Sequence, residues 1–465
     1  MHEDAQILFE DAKKFAESGE WERAVEALKC FTEKTTDFSL CQKAAKLAGK
    51  ILKTYPPEKL RPLKVALLSS STTLFLEPLL PLYGLVRGLD LRVKSGDFGT
   101  WRQDILDPSS WLYSFEPDVV IIATHYRDAA LPSFSQDPQG DAEKIAEQFV
   151  QFWEHLKKHS RAAILQHGFD RPNDDAAAYL SATHPGARAR VLESANAALV
   201  RRAAELSVVP VDIAELRARC GADQWEDARL WHHAKQHPAP AGLPLLAREY
   251  VRAICAKLGL SKKVCVCDLD NTLWGGVIGE DGIDGITLGT PNAAGEAFAA
   301  FQTYLKELKQ RGILLAVCSK NNEADALLPF EKHPAMVLKK DDFVSFKANW
   351  SPKSENIAQI AAELNLGLDS FVFVDDNRAE IEQVRAALPQ VACVQLPQDS
   401  AEYVAALSRA QLFDTATLSA DDLSRSQSYH ANAARAQAQS GATDLKDFLQ
   451  SLQMRCAAAP IGEGN

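Results

Sequence analysis

The 465-residue sequence contains nine cysteines, an odd number dispersed along the chain (Cys30, Cys41, Cys220, Cys255, Cys265, Cys267, Cys318, Cys393, Cys456), which excludes a disulfide framework. Cys265 and Cys267 are close, but no second Cys or His cluster completes a tetrahedral zinc site around them. No apolar run approaches the ~20 residues needed to span a bilayer. The amino terminus, MHEDAQILFEDAKKF, carries acids where a signal peptide would be basic, so cytoplasm is the expected location. Basic excess is also missing: 51 Lys+Arg against 62 Asp+Glu leaves a net charge of −11. That balance provides no general field for nucleic acid or an anionic membrane, and neither is an expected partner. An anionic substrate would have to be held by a local site. With 46% hydrophobic and 24% charged residues the chain is core-forming rather than disordered. Its length suggests about three domains of roughly 150 residues.

Residues 1–58 have apolar positions at helical spacing (Ile7, Leu8, Phe15, then Val25 and Leu28), with Gly19 as a break. One such unit cannot bury its own face, so it is expected to be a packing or docking extension. From Leu63 the pattern changes. KVALLSS (64–70), DVVIIAT (118–124), RAAILQH (161–167) and LSVVPVD (206–212) are short β-branched runs separated by helical stretches such as 141–158 and 192–205. This alternation predicts a parallel sheet and an α/β domain over 59–258. A second α/β domain is expected over 259–400, with strands KVCVCD (263–268), GILLAVCS (312–319), AMVLK (335–339), FVFVDD (371–376) and VACVQL (391–396). Gly312 stands at its helix-to-strand junction. Residues 401–465 are Ala-rich, with helical spacing at 401–413 and 444–452, and read as a tail or linker.

The chemistry concentrates in the second domain. Its first strand ends in Asp268-Leu-Asp270-Asn-Thr272, which places two carboxylates outside the carboxyl edge of the sheet, where open α/β sheets bind ligands. One carboxylate can attack while the other handles a proton, splitting a displacement into two steps through an acyl phosphate. The second strand ends in Cys318-Ser319-Lys320-Asn321, which offers a hydroxyl and N–H groups to phosphoryl oxygens. The fourth ends in Asp375-Asp376-Asn377, hard oxygen ligands suited to Mg²⁺. Lys353, in NWSPKSENI, opens a helix and is placed to neutralise a phosphate. Each part alone reads as a solvated loop or cap residue; the four together, in chain order, are specific.

This constellation resembles the haloacid dehalogenase superfamily of aspartate-nucleophile phosphatases and phosphotransferases. The resemblance implies a Rossmann-like parallel-sheet domain in which Asp268 attacks phosphorus and Asp270 acts as general acid, then base. Thr272, Ser319 and Lys353 would hold the phosphoryl group. Mg²⁺ would sit on Asp268, the Asp270 carbonyl and Asp375, with Asp376 in support. The strings DLDNTLWGGVIGEDG (268–282), AVCSKNNEADA (316–326), NWSPKSENI and FVFVDDNRAEIEQV are similar to the FkbH-like branch of that superfamily. This narrower resemblance implies action in polyketide assembly: 1,3-bisphosphoglycerate is dephosphorylated and its glyceryl group passes through an enzyme thioester to an acyl carrier protein. Cys318, beside Ser319, is the expected thiol, although strand alternation points it away from Ser319 unless the backbone turns; Cys267 faces the same objection. Trp274, Gly275 and Gly276 form either a tight turn packed by an aromatic residue or a small hinged lid.

In the first domain, SSSTT (69–73) and HPAPAGLPLLA (237–247) resemble the first and last blocks of SGNH-type hydrolases. The position three residues before His237 is Ala234 instead of Asp, and ATHYRD (123–128) lacks the Gly-x-Asn expected there. Without a carboxylate the histidine is a poor base, so a catalytically silent fold is expected. His232 and His233 read as structural. Family members usually continue into an acetyltransferase-like domain, which is expected to be absent here. The alternatives to glyceryl transfer are a stand-alone phosphatase of small phosphate esters and a non-catalytic scaffold.

Overall fold

The computed structural model describes residues 2–54, 59–425 and 429. The chain divides into two compact units, one ending at Leu260 and the other beginning at Ser261. Among the described residues no helix is long and apolar enough to cross a membrane.

The first unit begins with three helices, His2–Glu17, Trp21–Lys34 and Phe38–Ile51, the first two parted at Gly19 in a left-handed conformation. Its sheet comprises β1 (Arg61–Ser69), β2 (Leu89–Ser95), β3 (Val119–Ala123), β4 (Ala163–His167) and β5 (Val209–Val211). All pairs are parallel, in the order β2-β1-β3-β4-β5. Alternation along β1 splits its side chains: Val65 and Leu67 enter one core, Ala66 and Leu68 the other. The first core also contains Phe9, Leu28, Phe31 and Ala44, so the amino-terminal helices cover one face of this sheet. The opposite face is covered partly by the helix Pro138–His159, whose buried Ala142, Ile145, Phe149, Trp153 and Leu156 recur at helical spacing. Asp137 caps that helix by accepting from Gly140 N, and Lys157, Lys158 and His159 close it at the negative end of its dipole. β2 was not expected from sequence: LDLRVKS alternates buried and half-exposed positions because it is an edge strand.

The second unit has β6 (Val264–Cys267), β7 (Leu314–Ser319), β8 (Phe343–Ala348), β9 (Phe371–Asp375) and β10 (Ala392–Gln395), again all parallel, in the order β10-β9-β6-β7-β8. Cys265, Cys267, Val317, Val372 and Val374 face a core containing Phe298, Phe301 and Leu305 of the helix Ala293–Gln310. Val264, Val266, Ala316, Cys318, Phe371 and Phe373 face the helices Lys353–Leu364 and Arg378–Ala387. Gly312 adopts φ +89°, as its junction requires.

The expectation of a strand at AMVLK (335–339) is corrected: that segment is irregular, and the strand beside β7 is Phe343–Ala348. Met336 and Leu338 are buried anchors, but the N–H groups of Val337 and Leu338 donate to Gln302 Oε1 (3.0 and 3.1 Å) instead of to a ladder. The fold also continues past residue 400: Tyr403, Leu407, Leu412 and Phe413 belong to the second unit's core. The helical expectation at 444–452 lies outside the described residues.

Candidate active site

The chain leaves β6 at the centre of the second sheet, runs through β7 to β8 on one side, then returns to β9 and β10 on the other. The reversal lies between β6 and β9, where an open parallel sheet leaves a crevice at its carboxyl edge. Asp268 and Asp270 follow β6, Ser319 ends β7, and Asp375 and Asp376 lie at the end of β9. Asp268 N donates to Val374 O (3.1 Å), which fixes the first loop against β9.

Lys353 opens the helix Lys353–Leu364 after Pro352. A cation at a helix N-terminus opposes the dipole, so its place must be compensated from outside the helix. Its ammonium lies 2.6 Å from Asp375 Oδ2 and 3.0 Å from Asp268 Oδ1, and its side chain is only 3% exposed. Burial opposes the charge on Lys353, but the two carboxylates together outweigh it and hold the ammonium above its ordinary pKa. Burial, then the adjacent Asp268 carboxylate, pushes Asp375 up to about 7, and the same two causes push Asp376 up to about 6.

Asp268, Asp375 and Asp376 each offer an oxygen within 4.8 Å of the others; among the described residues this is the group of His, Cys, Asp or Glu side chains with metal-binding spacing. Asp268 Oδ1 is buried and takes no aligned hydrogen bond despite its nearness to Lys353. Three clustered carboxylates, with one buried oxygen that takes no aligned hydrogen bond, form a donor set that fits a hard divalent cation.

Asp270 is held differently. Its Oδ1 accepts from Trp274 Nε1 and from Ile278 N (both 3.0 Å), and its Oδ2 accepts from Asn321 Nδ2 (2.8 Å). Asn321 Nδ2 also reaches Ser319 Oγ (3.2 Å), linking the loops after β6 and β7. Asn321 was not singled out in the sequence, although its place two residues after Ser319 was the available signal. Thr272 is fully buried with no partner for its hydroxyl, beneath the loop. Trp274 is a packed anchor: it is fully buried, and Gly275 pairs with Thr287 through N–H···O bonds of 3.0 and 2.8 Å. Gly275 has no room for a side chain, since a Cβ there would meet the Phe298 ring at 2.9 Å.

The structure does not bring Cys318 to this cluster. Alternation turns it to the core beneath the helix Lys353–Leu364, where it is fully buried and its thiol donates weakly to Lys353 O (3.6 Å). Burial pushes it up to about 12, the opposite of an activated thiolate. Cys267 is buried on the other face, 3.7 Å from the sulfur of Cys265, and is also raised.

The first unit contains a second polar cluster at its own reversal, between β1 and β3. Here the reading of His237 as lacking a carboxylate is corrected: Asp170, from the loop after β4, accepts from His237 Nε2 at 2.8 Å and from Trp225 Nε1 at 2.9 Å. Asp170 was missed because it is distant in sequence from His237. Ser71, however, donates to the main-chain O of His237 (2.9 Å) and lies 3.2 Å from Ser69 Oγ, so its proton is committed away from the imidazole. The cavity there, about 10 Å³, has room for roughly one water.

Two all-parallel α/β units, the second with a carboxylate cluster and a buried lysine at its sheet edge, define the class of protein. Comparison with known proteins then gives the family. The FkbH N-terminal domain family matches residues 64–255, the first α/β region, outside the motifs that carry the sequence resemblance. A crystal structure of the N-terminal part of BF1531 from Bacteroides fragilis, containing a phosphatase domain complexed with Mg, is 32% identical; the match covers 82% of this chain and 99% of that one, with a TM-score of 0.70. The chain belongs to the FkbH family. A second solved structure, BT4096, a gut microbial diltiazem-metabolizing enzyme, is 13% identical over 45% of this chain and 50% of that one, with a TM-score of 0.29, too low to carry an argument. No curated protein sequence matches.

Proposed function

We propose that this protein is a Mg²⁺-dependent phosphatase of the aspartate-nucleophile type, its second unit a haloacid dehalogenase-like domain. The observation that carries this reading is Lys353, buried between Asp268 and Asp375, with Asp376 completing a cluster of three carboxylates. Mg²⁺ held by Asp268, Asp375 and Asp376, with the Asp270 carbonyl, supplies positive charge against the phosphoryl oxygens. Asp268 attacks phosphorus, the bond to the leaving oxygen breaks, and Asp270 gives that oxygen a proton. Water then attacks the aspartyl phosphate, Asp270 takes its proton, and phosphate leaves with Asp268 regenerated. Asp270 must first release Asn321, whose amide it now holds. Ser319 and Lys353 position the phosphoryl group. Phosphate release from a chromogenic ester, dependent on Mg²⁺ and absent in Asp268→Asn, tests the reading; release that persists in that variant overturns it.

Family membership supports a second reading: removal of phosphate from 1,3-bisphosphoglycerate and transfer of the glyceryl unit to an acyl carrier protein. The burial of Cys318 weighs against a thioester there. Incubating the protein with 1,3-bisphosphoglycerate, Mg²⁺ and carrier protein, read by intact mass, separates the readings. A glyceryl adduct on the carrier supports transfer, and its loss in Cys318→Ala would make Cys318 the relay. For the phosphatase, Cys318→Ala should change phosphate release by no more than about twofold, because a buried thiol beneath the helix acts only by packing.

Metal binding should depend on pH. Coordination needs ionised carboxylates, and Asp375 and Asp376 are raised to about 7 and about 6, so binding expels protons. Mg²⁺ affinity by calorimetry should therefore fall as pH drops from 8 to 6, by about tenfold for one proton released per pH unit. For the metal-free protein the sign is opposite. Asp375 moves from an ordinary 3.8 to about 7 on folding, so its contribution to stability is lost as pH rises through that interval.

A further inference from the structure

The amino-terminal helices, to which the phosphatase reading gives no task, form a groove of about 380 Å³. The helix His2–Glu17 supplies one wall through Phe9, Lys13, Ala16 and Glu17, whose spacing puts them on a single face. The helix Phe38–Ile51 supplies another through Lys43, Lys46, Leu47 and Lys50, again one stripe at helical spacing. Trp21, which opens the helix Trp21–Lys34, and Ile51 also line it. The apolar part is recessed: Phe9 is 9% exposed, Ile51 is buried, and Trp21 and Leu47 are half-buried. The four lysines are all exposed and form its rim, with Glu17 as the one acid among the lining residues. Within its length the helix Phe38–Ile51 has three lysines and no acid. Lys46 and Lys50 stand four apart, a like-charge spacing that destabilises a helix, and among the described residues none of the four lysines is in an ion pair. In a chain with 62 acids against 51 basic residues, this is a local field opposite in sign to the whole.

We infer that this groove docks an acidic amphipathic helix of a partner protein, its apolar stripe against Phe9, Trp21 and Leu47 and its carboxylates on the lysine rim. Packed helices offer side chains and no free ladder of N–H and C=O groups, so an added strand has nothing to pair with. A helix laid in the groove can insert residues at i, i+3, i+4 and i+7. Its acids would supply the counter-charges that the four lysines lack within the chain, which favours one sign of partner and speeds encounter. An anionic bilayer fits less well, because apolar side chains recessed below exposed lysines do not reach into a flat surface. A nucleic-acid backbone would meet the lysines and leave the apolar floor uncovered. The inference is independent of the chemistry of the second unit.

The probe is a synthetic helical peptide of about 18 residues, with leucines at i, i+3, i+4 and i+7 and glutamates flanking them, titrated with the full chain by fluorescence anisotropy. One control peptide has the same composition with its leucines scattered round the helix, and another has lysine in place of glutamate. The acidic amphipathic peptide should bind at least about tenfold more tightly than either control. Lys43→Glu combined with Lys46→Glu should weaken its binding by about tenfold or more. That double variant should stay folded by circular dichroism, because both positions are exposed and an acid four residues before Lys50 supports the helix. Leu47→Ser, which leaves every charge in place, should weaken binding by about threefold or more. No measurable binding, equal binding of the scattered control, or indifference to Leu47→Ser would overturn the inference, the last two by reducing the groove to plain charge attraction. Tighter binding to phosphatidylserine vesicles or to duplex DNA than to the peptide, lost with the two lysines, would overturn it in favour of a membrane or nucleic-acid partner.

Discussion

Asp268→Asn should abolish phosphate release, with a loss of about 10⁴-fold or more in kcat, while the protein remains folded. An amide cannot form the acyl phosphate, so the two-step route closes entirely rather than slowing. The fold should tolerate the change because Asp268 is one of two carboxylates packed on one ammonium, 3.0 Å from Lys353 Nζ, with an oxygen that takes no aligned hydrogen bond. Removing its charge relieves repulsion with Asp375 and Asp376, both of which Asp268 raises. The metal-free variant should therefore melt at or slightly above the wild-type temperature. A melting temperature that falls by several degrees together with activity would mean that Asp268 is chiefly structural.

Lys353→Met should give the largest loss of stability. The substitution keeps the apolar stem and removes the ammonium, leaving two carboxylates in a site where Lys353 is 3% and Asp375 0% exposed. Breaking a buried ion pair by deleting one partner costs about 3–5 kcal/mol, which is roughly 10 °C for a unit of this size. Two further results follow from the charge argument. The deficit should shrink at pH 5, where Asp375 takes up a proton and no longer needs a counter-charge. It should also shrink on adding Mg²⁺, since a cation on the same oxygens replaces part of the missing charge. Calorimetric melting at pH 8 and pH 5, with and without Mg²⁺, checks all three. A deficit indifferent to both pH and Mg²⁺ would assign Lys353 a packing role.

The difference between what was legible in the sequence and what was not has a consistent physical cause. Buried strands such as Val119–Ala123 and Phe371–Asp375 are continuous apolar runs, and the carboxylates that follow β6 and β9 are adjacent to them in the chain. Both are local properties. Edge strands are not legible in this way: Leu89–Ser95 is half solvated, and AMVLK carries a strand's composition while Gln302, over thirty residues earlier, takes its N–H groups. Asp170 and His237 likewise meet only because separate loops converge at one sheet edge.

By itself the sequence determined the two parallel α/β regions, the acidic site at the end of β6 and β9, and the absence of a disulfide framework. Tertiary structure decided what those residues can do. It set Lys353 between two carboxylates, turned Cys318 into the core under a helix, and supplied His237 with a carboxylate from another loop. Apolar periodicity is written residue by residue along the chain, whereas burial, charge pairing and cavity lining are sums over segments that only folding brings together.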